Sequence, residues 1–199
     1  MTKNQQPNTH TRLLNSAAEL MWERSFMATS VDDLCQRADA KKGSFYHFFS
    51  SKTDLAIAAI EEKWNEIKQI VFDPVFTSDA EGLAQLEQLI EQVHEFQTTI
   101  YKEKGEYLGC IFGNLGQEMA RQDERIRQTL QNIFEEHYDY LETALNKAEA
   151  AGDIPAGDNR QRAQKLFAMF EGAMLLAKVS NDPQLFRNIK PTIKTLASS

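Results

Sequence analysis

Cysteine is nearly absent from this 199-residue chain. Its two copies, Cys35 and Cys110, lie far apart, with no Cys-x-x-Cys pair and no companion histidines at ligand spacing. A disulfide framework and a cysteine-based zinc site are thereby excluded, and both residues are expected as free thiols. Nowhere do about 18 apolar residues run together, so no membrane span is expected. The opening stretch MTKNQQPNTH lacks the apolar core of a signal peptide, and the expected location is the cytoplasm. Glycine (nine) and proline (five) are too scarce for a low-complexity chain. Hydrophobic residues at 42% and charged residues at 26% describe instead a folded, helix-rich polypeptide. No run alternates with the period of a strand, so the expected class is all-α.

Net positive charge is also lacking: the chain carries −7. The deficit is unevenly spread. Residues 1–56 hold seven Lys or Arg against six Asp or Glu, whereas 57–199 hold 15 against 23. A polyanion would therefore be held by the N-terminal part alone.

What is present is helical periodicity. Leu14, Ala17, Ala18 and Met21 fall at i, i+3, i+4 and i+7 and predict a helix over 11–24. A second helix is expected from Val31 to Ala38, with Ser30 as N-cap and Asp32 and Asp33 in the first turn. After Asp39 and Ala40, a short third helix over 41–49 offers Phe45, Phe48 and Phe49 to the core. The fourth, over 53–72, carries Ala56, Ile60, Trp64, Ile67 and Val71. Asp73, Pro74 and 77–82 read as loop. A fifth helix is supported from Leu83 to Phe96, and Gly105 closes the connection after it. Further helices are expected over 107–120, 123–151 and 160–179, and a last one after Pro183 carries Phe186, Ile189, Ile193 and Leu196. The pattern gives about nine helices.

Two short helices joined by about two residues, the second opening Lys41-Lys42-Gly43-Ser44, fit a helix-turn-helix. Such a motif sets the start of its second helix in the major groove, where cations and small residues meet phosphates and base edges. The run Ser30-Val31-Asp32-Asp33-Leu34, Lys42-Gly43-Ser44-Phe45-Tyr46-His47-Phe48-Phe49 and Ser51-Lys52-Thr53-Asp54-Leu55 resembles the DNA-binding signature of the TetR family of ligand-responsive transcriptional repressors. The resemblance implies a helix-turn-helix DNA-binding domain with a flexible N-terminal arm over 1–54. It implies an effector-binding and dimerisation domain over 55–199. It also implies a homodimer on a palindromic DNA operator, released by a small-molecule effector. By the same resemblance Lys42, Gly43, Ser44, Tyr46 and His47 face DNA, and Ser30 and Lys52 anchor phosphates. Lys41, where the family often has Ser or Thr, adds a cation near the groove. The turn departs from the family pattern too, with Asp39 and Ala40 in place of glycine and a branched apolar residue.

The segments Tyr107-Leu108-Gly109-Cys110-Ile111-Phe112-Gly113-Asn114-Leu115 and Phe170-Glu171-Gly172-Ala173-Met174-Leu175-Leu176-Ala177 resemble a TetR subgroup in which some members respond to electrophiles or oxidants. Cys110, Gly113, Asn114 and Gln117 form a polar stripe that faces either a cavity or water. Trp64, Phe96, Cys110, Asn114, Gln117, Phe134, His137, Tyr138, Phe170 and Met174 are candidate effector contacts, although aromatics and Met at helical spacing also make ordinary core. His137 is either a pocket hydrogen-bonder or a core histidine. Phe167, Phe170, Met174, Phe186, Ile189 and Ile193 supply more apolar surface than a terminal hairpin can hide, so they are expected at a dimer interface. A helical enzyme or a protein-binding adaptor are the alternatives. The single Glu91-x-x-His94 lacks the second pair that a helical di-metal site needs, so no metal or cofactor is expected.

Overall fold

Asn8 opens the first helix, α1 (Thr9–Glu23), by accepting the Thr11 backbone N–H at 2.9 Å. The protein is seen here in a computed structural model that describes residues 7–199. Most of the expected N-terminal arm thus lies outside the described residues. α2 (Val31–Arg37), α3 (Lys42–Phe48) and α4 (Lys52–Ile67) follow. Next come α5 (Asp73–Phe76), α6 (Leu83–Lys104), α7 (Ile111–Met119) and α8 (Glu124–Ala150). α9 (Asn159–Ser180), α10 (Gln184–Arg187) and α11 (Ile193–Ala197) complete the chain. Among the described residues every regular element is helical, so the class is all-α. No helix among them is long and apolar enough to cross a membrane.

The chain divides into two units, one of residues 7–65 and 114–130, the other of 66–113 and 131–199. In the first unit α1 buries Leu13, Leu14, Ala17, Ala18, Leu20 and Met21. Ser30 starts α2 through a reciprocal capping box with Asp33, each satisfying a backbone N–H of the other. Between α2 and α3, Asp39 stands in the left-handed region at φ 46. An L side chain is disfavoured there, by about 1–2 kcal/mol for an ordinary residue and less for Asp. Arg12 holds this turn: its Nε donates to Ala38 O at 2.8 Å and one Nη to Asp39 O at 3.2 Å. The carbonyls left over at the end of α2 thereby gain a cationic partner.

The second unit begins with a departure from expectation. The fourth helix does not end in a loop at Asp73; a π turn at Lys68–Phe72 leads directly into α5. Pro74 explains the slip, since it has no N–H to give to Ile70 O, and the Gln92 amide donates to that carbonyl instead at 3.2 Å. α6 runs two turns past Phe96 and stops at Gly105, which is left-handed at φ 76. The helix expected over 107–120 starts only at Ile111, because the chain turns at Gly109 with φ 72. The single last helix is in fact α10, a 3₁₀ turn at Lys190–Thr192 containing Pro191, and α11.

Candidate DNA interface and effector site

α3 is short, and its two sides differ sharply. Phe45 (0% exposed) and Phe49 (6%) anchor it, while Lys41, Lys42, Gly43, Tyr46 and His47 are exposed and Ser44 is half-buried. A β-carbon added to Gly43 would meet nothing within 4 Å, so the start of the helix presents open backbone. Phe48, expected to pack inward, is 42% exposed and lies edge-on to His10 at the start of α1. Lys42 pairs with Asp32 at 2.7 Å across the helix-turn-helix, both side chains remaining well exposed. A solvated pair of this kind is worth little and is readily exchanged for a phosphate.

Two expected phosphate anchors are otherwise engaged. Lys52 turns inward: its Nζ donates to Phe26 O at 3.0 Å and Thr29 O at 2.9 Å, and sits 4.0 Å from the centre of the Phe26 ring. Lys52 is therefore corrected from a DNA contact to a clamp on the turn between α1 and α2, and burial lowers its pKa. Ser30 is exposed, but its hydroxyl serves the α2 cap. Opposite Lys52, the Glu118 carboxylate accepts the Phe26 and Met27 backbone N–H groups at 2.9 and 2.8 Å. Nothing in the spacing of α7 marked Glu118 for this role.

The candidate effector residues divide between the two units. Trp64, Asn114 and Gln117 belong to the first unit. Gln117 is exposed, which corrects its expected place on a cavity wall. In the second unit His137 lies among rings, with Phe167 at 5.0 Å and Phe72 at 5.2 Å between centres. Its Nδ1 is 2.7 Å from Ile133 O, and burial pushes its pKa down to about 4. A neutral core histidine results. Phe134 and Tyr138 pack on Phe167 at 5.1 and 5.3 Å, and Phe170 packs on Phe186 at 6.0 Å. Phe96 and Met174 are half-buried.

Cys110 is partly buried, its Sγ accepting the Gly113 N–H at 3.3 Å. Its thiol also donates to Glu171 of α9, and burial together with that carboxylate raises its pKa well above the usual thiol value. The setting keeps the sulfur protonated, the opposite of what a thiolate nucleophile needs.

Four of the six residues expected at a dimer interface are also corrected. Phe167 (7% exposed), Phe170 (5%), Phe186 (0%) and Ile193 (1%) are already covered by the chain's own core, and Met174 and Ile189 are half-buried. The uncovered apolar side chains of α9 are Leu175 (47%), Leu176 (63%) and Val179 (77%), in one stripe with Gly172 at i, i+3, i+4 and i+7. That stripe is legible in the sequence, but from Leu166 to Val179 apolar residues occur on every side of α9, so spacing alone does not separate the outer stripe from the inner one.

Among the described residues no three metal-ligating side chains gather. Glu91 is occupied by Arg187 and Lys190, at 2.8 and 3.1 Å, and His94 faces the Gln184 amide at 3.4 Å.

A helix-turn-helix with a braced turn and a cationic, open second helix defines a DNA-binding regulator. The comparisons with known proteins make this specific. Residues 82–193 match the family model described as "Tetracyclin repressor-like, C-terminal domain", and residues 13–59 match "Bacterial regulatory proteins, tetR family". The chain belongs to the TetR family of transcriptional regulators, which are not enzymes. It is 28% identical to the transcriptional regulator AcuR of Cereibacter sphaeroides over 87% of this chain and 78% of that one. It is 24% identical to the repressor NemR of Escherichia coli over 100% of this chain and 98% of that one. A solved regulatory protein TetR from Rhodobacter sphaeroides superposes with a TM-score of 0.84 at 27% identity, covering 94% of this chain and 98% of that one.

Proposed function

We propose that the protein is a homodimeric repressor that grips a palindromic operator with two copies of α3 and lets go when a small molecule occupies the second unit. The observation that carries the reading is the exposed face of Lys41, Lys42, Gly43, Tyr46 and His47 on a helix fixed from behind by Phe45 and Phe49. Lys41 and Lys42 meet phosphates, Gly43 and Ser44 approach base edges, and Tyr46 and His47 reach the backbone from the next turn. The Gly172, Leu175, Leu176 and Val179 stripe supports a second copy as its cover, since an isologous contact doubles each residue's contribution. Relatives named as repressors, NemR and DhaR, support the sign of regulation.

Two α3 helices must sit about 34–36 Å apart to enter successive major grooves. An effector that binds better at another spacing weakens DNA affinity by its preference between the two states. The chain crosses between its two units within α4, α7 and α8, the routes available for that coupling. Selection of genomic fragments by the full chain, followed by anisotropy titration against salt, tests the proposal. Lys42→Ala lowers the slope of log affinity against log salt by about one, because one phosphate is no longer neutralised. An unchanged slope and affinity remove Lys42 from the interface, and absence of a palindrome among the fragments removes the symmetric dimer.

A further inference from the structure

The second unit holds several incompletely paired polar groups around the segment Tyr107–Gly113. Glu171 projects from α9 against bare backbone: a β-carbon at Gly113 would overlap its Oε2. The Cys110 thiol donates to this partly buried carboxylate, and burial raises its pKa. Gln97 is 5% exposed; its amide donates to Gly109 O at 3.3 Å, while its Oε1 has no partner. Tyr107 is 3% exposed, with its backbone N–H held by Asn181 at 2.8 Å and its hydroxyl unpartnered. The Glu171 charge is felt by Tyr107 and also by Tyr138. One segment thus ties together a carboxylate and an amide oxygen that accept protons and a phenol whose hydroxyl has no partner, with the ring of Tyr138 also within reach of the Glu171 charge.

Buried polar groups left in this state are unfavourable, a charge most of all, so what binds here should be judged by what it supplies. An anion would be repelled by Glu171. A neutral alcohol brings one donor and no charge. An electrophile would need the thiolate, but the Cys110 proton is committed to Glu171. A protonated primary amine brings three N–H donors, a positive charge for Glu171, and an affinity for aromatic faces.

We infer that the effector of this protein is a small organic ammonium ion, seated with its N–H groups on Glu171 and Gln97 beside the ring of Tyr107. The inference rests on the reading that the second unit binds an effector, and it names that effector's chemistry. Its binding draws the Glu171 carboxylate away from the thiol, so α9 and the segment leading into α7 carry the ligand state.

Calorimetric titration of the full chain with benzylamine, benzyl alcohol and benzoate tests it. Benzylamine binds and raises the melting temperature; the alcohol binds at least tenfold more weakly and benzoate does not bind. Glu171→Gln, nearly isosteric, weakens benzylamine by roughly 30-fold or more, as loss of a buried charge partner does, and leaves the alcohol unchanged. Gly113→Ala keeps the charge but puts a methyl where the carboxylate lies, and weakens the amine as well. Cys110→Ser binds the amine within about twofold of the wild type. No binding of benzylamine at millimolar concentration, or equal binding by the wild type and both Glu171→Gln and Gly113→Ala, overturns the inference. Parallel measurement of DNA release separates the two claims. If hypochlorite or N-ethylmaleimide releases DNA from the wild type but not from Cys110→Ser, and amines do not bind, the ammonium assignment falls while effector control stands. If the chain binds no DNA, the regulatory reading falls while calorimetry still decides the amine.

Discussion

His137 gives the fold a specific weakness to acid. Its pKa, near 6.5 when unfolded, is pushed down to about 4 by burial among Phe72, Phe134 and Phe167. Below pH 6.5 the unfolded chain takes up a proton at this ring that the folded chain refuses. Stability contributed by the neutral ring is therefore complete above pH 6.5, falls as the pH drops toward 4, and levels off below it. At 1.36 kcal/mol per unit the full difference is roughly 3 kcal/mol, and about 2 kcal/mol after allowance for the ring's partial exposure. Urea melts of the wild type and His137→Asn, at fixed protein concentration and at pH 7.5, 6.5, 5.5 and 4.5, measure it. Asn keeps a donor near Ile133 O, and the space it leaves weakens the fold equally at every pH. The stability gap between the two proteins should narrow by about 2 kcal/mol from pH 7.5 to 4.5. Lowered carboxylates such as Asp33 and Asp54 act at lower pH and in both proteins alike, so they cancel. A gap constant within about 0.5 kcal/mol would refute the argument and mean that the ring accepts its proton in the folded state.

Two further outcomes follow from other parts of the structure. Leu176→Glu places two carboxylates against each other in the proposed dimer and removes about 1.5 kcal/mol or more of apolar burial per copy, so the dissociation constant read by analytical ultracentrifugation should rise at least about 100-fold; an unmoved constant takes α9 out of the interface. Arg12→Ala removes charge-assisted bonds to the turn at Ala38 and Asp39 and should lower stability by about 1.5–3 kcal/mol, with about 1 kcal/mol restored by Asp39→Gly, which relaxes the left-handed backbone; equal melting of the single and double variants would show that the turn is unstrained.

The helices of this fold were legible where one local cause set them. α1, α2, α8 and α9 begin and end within about two residues of expectation, because caps at Ser30 and Asp158 and stops at Gly152 and Asn181 act through the nearest backbone. The π turn was not legible, since it depends on Gln92 reaching across from another helix to Ile70 O. The exposed residues of α3 were found because they lie in one short signature. Lys52 departs from expectation for the converse reason: its neighbours in sequence suit a phosphate contact, but its amine reaches carbonyls 23 and 26 residues away. In the second unit, Gln97, Tyr107 and Glu171 come from three separate segments, and no spacing rule joins them.

The grip of Glu118 on the Phe26 and Met27 N–H groups bears on how portable this DNA-reading head is. A second bond of the same reach joins Asp54, at the start of α4, to Arg125 of α8 at 2.6 Å. Both partners come from the stretch Asn114–Leu130, sixty or more residues downstream of the head they brace. A chimera spliced after Asp54 onto another regulator's body would inherit the recognition helix without its struts. Grafting that includes Asn114–Leu130 carries the bracing along, and in evolution it makes head and α7 a unit of exchange that no cut at a single point in the gene can preserve.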